Sequence, residues 1–160
     1  MRTLGCKHSR QSWRVVIALC LSVCCFGIGA QPVGEKLFLE HCSACHQPDA
    51  SGTVGLAPTL KGEHWAALGS HALYLPTVLL KGLSGRIDVA GQVFVGNMPS
   101  FAAVLDDAQI LALTQHVRNL QTGATTPLAL TTADVAGLRQ APGSPTQSRQ
   151  LRQSLLQGQR

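Results

Sequence analysis

The pentapeptide Cys42-Ser43-Ala44-Cys45-His46 constrains this chain of 160 residues more than any other feature. Two thiols three residues apart, followed at once by an imidazole, form the attachment pattern of c-type haem. At a helix end both thiols reach the two vinyl groups along one side of a porphyrin. The next residue then lies beneath the iron, where an imidazole nitrogen binds it. Other uses of two cysteines fit less well. A zinc knuckle calls for a second ligand pair, and none of the remaining histidines is paired at zinc-like spacing. A thioredoxin-like redox pair calls for a strand before the motif and a helix after it; here a helical pattern precedes and a glycine-rich segment follows. A plain disulfide leaves His46 without a purpose. Cys42 and Cys45 are therefore expected to hold one covalent haem c, with His46 as an iron ligand.

Charge and cysteine usage make sense only after the chain is divided. Arg2, Lys7, Arg10 and Arg14 precede an apolar run from Val15 to Ala30, the order of a secretory signal peptide. The run is shorter than the roughly 20 residues of a membrane span, and Gly29-Ala30 predicts cleavage before Gln31. A retained N-terminal anchor is the alternative. Without residues 1–30, nine Lys and Arg face eight Asp and Glu, so four of the five net positive charges reside in the leader and the rest is nearly neutral. The remaining chain offers no basic surface for nucleic acid or lipid. Cys6, Cys20, Cys24 and Cys25 leave with the leader, and the motif's two cysteines stay.

Residues 31–121 read as about three helices separated by long loops. Val33, Leu37, Phe38 and His41 recur at helical spacing up to Cys42. Gly34 in that helix marks a close approach by another. A second pattern runs from His71 to Lys81, and a third follows Asp106, a good N-cap, with Ile110, Leu113, Val117 and Leu120 on one stripe. The stretch Gln47–Gly62 reads as loop. So does the segment with Gly82, Gly85, Gly91 and Gly96, in which Val93-Phe94-Val95 are briefly extended. Long loops count against a compact domain unless something fixes them. Aromatics are 4 % of the chain, so a macrocycle both fills the core and holds the loops.

Residues 122–160 turn to Thr, Ala, Gln, Pro and Gly, a low-complexity extension with helical patterns near Thr132–Arg139 and Ser144–Leu156. Ser144 caps the second, and Pro145 takes its first position. Leu138-Arg139-Gln140 recurs as Leu151-Arg152-Gln153, an echo read as coincidence. The extension is expected to be a weakly ordered appendage, with docking onto the haem domain as the alternative.

Beyond Met1, Met98 is the chain's single methionine, held between Gly96-Asn97 and Pro99-Ser100. A loop thioether in such a setting suits a fixed sixth iron ligand, and sulfur ligation raises the potential. His41, His64, His71 and His116 are rivals. Arg86 is expected near the haem carboxylates, and Trp65 and Tyr74 are candidate haem contacts.

These motifs resemble the class I cytochrome c family over roughly residues 32–121. Gly34-x-x-x-Phe38 is similar to the family's N-terminal helix, and Ile110–Leu120 to the C-terminal helix that crosses it. Leu56-Ala57-Pro58-Thr59-Leu60 resembles the loop whose proline carbonyl accepts the hydrogen bond of the proximal histidine, a role the resemblance gives to Pro58. Asn97-Met98-Pro99-Ser100-Phe101 resembles the axial-methionine loop. His116 departs from the family's usual aromatic. The resemblance implies an all-α cytochrome c fold wrapped around one haem. It also implies an exported, periplasmic monohaem protein that is not an enzyme and passes single electrons to or from a dehydrogenase, reductase or oxidase. Membrane contact then comes only through a partner or an uncleaved leader. A haem enzyme or sensor with an exchangeable sixth ligand is the alternative. No nucleophile elbow, paired carboxylates or phosphate loop favours other chemistry, and Asp106-Asp107 is a helix start.

Overall fold

The computed structural model describes residues 33–122 and 129–158. The expected leader, residues 1–30, lies outside them. Helix α1 (Val33–His41) stops at Cys42, whose backbone leaves helical geometry only partly (φ −118°, ψ −31°), and the one-turn α2 (Ser43–His46) follows. A 3-10 turn at Glu63–Trp65 leads into α3 (Ala66–Gly69) and α4 (Tyr74–Lys81). Strands β1 (Leu83–Val89) and β2 (Gln92–Met98) form an antiparallel hairpin, and α5 (Asp107–Thr122) completes the region resembling the family. The tail supplies α6 (Thr132–Gln140) and α7 (Pro145–Gln157).

The hairpin corrects the loop expected between Gly82 and Gly96. Leu83 pairs with Met98 and Val89 with Gln92, so seven residues on each side are in register. Ala90 and Gly91 make the turn with φ of 53° and 77°, the two positive values that match a two-residue turn to strand twist. The glycines of this segment argue for loop. Alternation along Ile87, Val89 and Phe94 is the strand signal they mask.

Helix α5 begins with a reciprocal cap, as its sequence predicts. The Gln109 N–H donates to Asp106 Oδ1 at 2.8 Å, and the Asp106 N–H donates to Gln109 Oε1 at 2.9 Å. It crosses α1 at Gly34, where a Cβ would stand 2.3 Å from the Ala112 oxygen. Glycine is what lets the two backbones meet. His116 takes the family's aromatic place, its ring 5.4 Å from that of Phe38.

Two apolar clusters result. One gathers Leu37, Phe38, Leu79, Leu80, Ile110, Leu113 and Val117 with Leu130 and Val135 of the tail. The other gathers Trp65, Leu68, Tyr74, Val78, Leu83, Val89 and Phe94, with Leu151, Leu155 and Leu156 of α7 packed against it. Met98 and Leu60 touch both.

The tail is built into the fold. Thr131 and Asp134 form a capping box that starts α6, and the Ser144 hydroxyl accepts from the Gln147 N–H to start α7. Arg139 bonds Asp107 Oδ1 at 2.7 Å and the Leu105 carbonyl at 2.8 Å, and also donates to the Ala102 carbonyl. In return Lys81 Nζ donates to the carbonyls of Arg139 and Ala141 at 3.0 and 2.6 Å. The described residues belong to one compact unit. No helix among the described residues is long and apolar enough to cross a membrane.

Candidate haem site

Helix α1 carries the motif straight to the core. The Cys42 N–H donates to the Phe38 carbonyl and the His46 N–H to the Cys42 carbonyl, both at 2.9 Å, so the helical path survives the break. Cys42 is buried and Cys45 exposed, and they form no disulfide. Burial, helped by the neighbouring Cys45, pushes the Cys42 thiol up to about 11. Within the motif the imidazole of His46 is buried as well.

The next residues fold back over the motif. Gln47 and Ala50 adopt left-handed backbone (φ 63° and 62°), and the Gly52 N–H returns to the His46 carbonyl at 2.9 Å. Thr53 Oγ1 donates to the Cys45 carbonyl and accepts from Gln47 Nε2. At Gly52 (φ +79°) a Cβ would lie 2.5 Å from the Pro58 carbonyl carbon, so glycine is what lets the loop close there.

That closure brings the Pro58 oxygen to 2.9 Å from His46 Nδ1. A carbonyl only accepts, so Nδ1 carries the proton, and a neutral ring leaves Nε2 with its lone pair. Burial lowers the His46 pKa, against the raising effect of the Pro58 bond. The ring is thus held neutral and oriented, as a metal ligand requires.

His46, Cys42, Cys45 and Pro58 line one cavity together with Met98, Trp65, Tyr74, Leu79, Phe94 and Arg152. Its empty volume, open mouth and adjoining solvent included, is about 1150 Å³. Met98 is the last residue of β2, not a loop residue. The chain just beyond it is pinned to the end of α4, where the Ser100 hydroxyl donates to the Leu80 carbonyl (2.6 Å) and the Phe101 N–H to the Leu79 carbonyl (2.8 Å). Trp65, its Nε1 donating to the Thr59 carbonyl at 3.0 Å, and Tyr74 are both buried against the cavity, as expected.

The structure does not bring Arg86 to the cavity. Strand alternation turns Gly85 and Ile87 to the cavity and leaves Arg86 exposed on the other face of β1, away from the lining. Among the described residues, the arginine that reaches the cavity is Arg152 of α7, to which sequence reasoning assigns no role. Arg139 and Arg152, which stand at the same place in the Leu-Arg-Gln echo, each bond a tail helix to the rest.

A helical chain folded around one apolar cavity, with two thiols and an oriented imidazole on its wall, defines a covalent haem protein. The family model for cytochrome c matches residues 33–121, and the chain belongs to that family as a class I monohaem cytochrome with one covalently bound haem c. Over 90 residues it is 39 % identical to a cytochrome c-552 of Thermus thermophilus, covering 55 % of this chain and 60 % of that protein. A second Thermus thermophilus cytochrome c-552 is 38 % identical over 54 % of this chain and 66 % of its own length. The subunit CcoP of a cbb3-type cytochrome c oxidase from Azospirillum is 33 % identical over 56 % of this chain and 28 % of its own. The chain thus spans about three fifths to two thirds of the Thermus relatives.

Proposed function

We propose that this protein is an exported carrier of single electrons, using a haem c ligated by His46 and Met98, rather than an enzyme. The observation that carries the reading is the shared cavity. His46, fixed in one tautomer by Pro58, and Met98, fixed by the bonds that follow it, line the same space from distant parts of the chain. The unmet donor capacity of buried Arg152 at that cavity also fits a ligand bearing carboxylates, as haem does. When bound, haem supplies the one-electron iron couple. Cys42 and Cys45 would tether it, and His46 through Nε2 and Met98 through its thioether would bind its iron. With both positions held by protein, oxygen or substrate finds no open site, which favours a carrier over the enzyme or sensor reading.

The basic-then-apolar order of residues 1–30 supports export to the periplasm. Likeness to an oxidase subunit supports an oxidase as one partner class, beside dehydrogenases and reductases. The absorption spectrum of the ferric protein tests the reading. A low-spin spectrum with the weak far-red band of thioether ligation is expected. Met98→Ala should remove that band, lower the reduction potential and open the iron to added ligands. High-spin iron in the unaltered protein would overturn the carrier reading in favour of the alternative.

A further inference from the structure

Arg152 stands on α7, beyond the residues matched by the family model. Its side chain is 4 % exposed and lines the haem cavity. One nitrogen, Nη2, donates to the Asp88 carbonyl of β1 at 3.0 Å. The guanidinium carbon lies 5.1 Å from the centroid of the Trp65 ring, a cation–π contact. The other terminal nitrogen, Nη1, is buried with no hydrogen-bond partner.

Those contacts leave a deficit. A guanidinium is always charged in a protein, and burying one without a counter-charge is strongly unfavourable. Among the described residues it forms no ion pair with a carboxylate; Arg139 pairs with Asp107 and Lys61 with Asp49. The groups facing it are Tyr74, whose hydroxyl interacts with the guanidinium, and His64; burial pushes both toward their neutral forms, and neither supplies an anion. Trp65 and the Asp88 carbonyl give partial charge only. A full negative charge is missing from the place where the chain has buried a full positive one. Haem carries two carboxylates on its edge.

We infer that Arg152 binds a haem carboxylate, so that the C-terminal helix α7 forms part of the haem site. The inference rests on the functional reading above, since it needs the covalent haem. It gives α7 a chemical role besides packing Leu151, Leu155 and Leu156: it delivers the counter-charge that the matched region lacks. A cation beside that carboxylate favours ferrous iron, the state with one positive charge fewer, and so raises the potential.

The test compares the full-length holoprotein with Arg152→Met, which keeps length and apolar bulk, and Arg152→Lys, which keeps charge but loses the fork. Covalent haem is measured as the pyridine haemochrome, ligation by the far-red band, potential by redox titration, and the carboxylate by its bending mode in resonance Raman spectra. Expected in Arg152→Met are retained haem and thioether band, a lower potential and a shifted carboxylate mode. In Arg152→Lys the potential stays close to that of the unaltered protein while the carboxylate mode shifts, a signature that a packing role does not produce. An unmoved carboxylate mode in either holo variant overturns the inference and leaves the carrier reading standing. Absence of covalent haem from the unaltered protein overturns both.

Discussion

Two stretches furnish the haem cavity in different ways. The segment from Cys42 to Pro58 is local: the motif, the left-handed residues Gln47 and Ala50, and the return to His46 are bonded to one another within seventeen consecutive residues. The rest of the lining is assembled from afar. Met98 depends on a hairpin and on its ties to α4, and Arg152 on a helix anchored to Asp88 across 64 positions. Local geometry fixes a ligand by short loops that cost little entropy to close, whereas the assembled part exists only when several elements have docked. The first region sets what is bound, and the second sets how the bound group behaves.

The difference yields graded expectations. His46→Ala removes the one imidazole held in position by the local loop, and the low-spin spectrum should vanish altogether, as read by absorption. Deleting residues 144–160 removes α7 and exposes the surface under Leu151, Leu155 and Leu156. Stability of the holoprotein should fall by about 3–5 kcal/mol in urea titration, with a lower potential but with haem still attached. Retention of the full potential after that deletion would erase the proposed division of labour. Gly52→Ala forces a Cβ against Pro58 at a positive φ; a loss of about 2–3 kcal/mol is expected. The bond holding His46 should weaken too, seen as a shift of its ring proton resonances. Thr131→Ala removes one half of the capping box of α6 and should cost about 1 kcal/mol, with no change in spectrum or potential.

The local wall is legible in the sequence because its information is local. Five residues at fixed spacing name the cofactor, and the stripe Ile110-Leu113-Val117 with its Asp106 cap names a helix. The Pro58 bond enters through family resemblance, and the structure shows it at 2.9 Å. The hairpin is hidden because Gly82, Gly85, Gly91 and Gly96 read as breakers, although they serve its ends, turn and cavity face. Arg86 and Arg152 cannot be told apart by neighbouring residues. Which arginine meets the cavity depends on strand parity in one case and on the docking of a distant helix in the other. The low-complexity look of the tail comes from its short polar residues, yet Val135, Ser148 and Arg152 are buried. Pattern reading undervalues a helix whose buried stripe contains Ser and Arg.

The bond from Arg152 to the Asp88 carbonyl has a consequence in time. A polypeptide is made from its N-terminus, so Cys42, Cys45 and His46 are available long before α7 exists. Until α7 is synthesised and laid along β1, the cavity lacks the side that Arg152 lines. A large flat molecule can approach the thiols during that interval without forcing a finished protein open. Helix α7 thus closes a wall that stands open when the motif is first exposed.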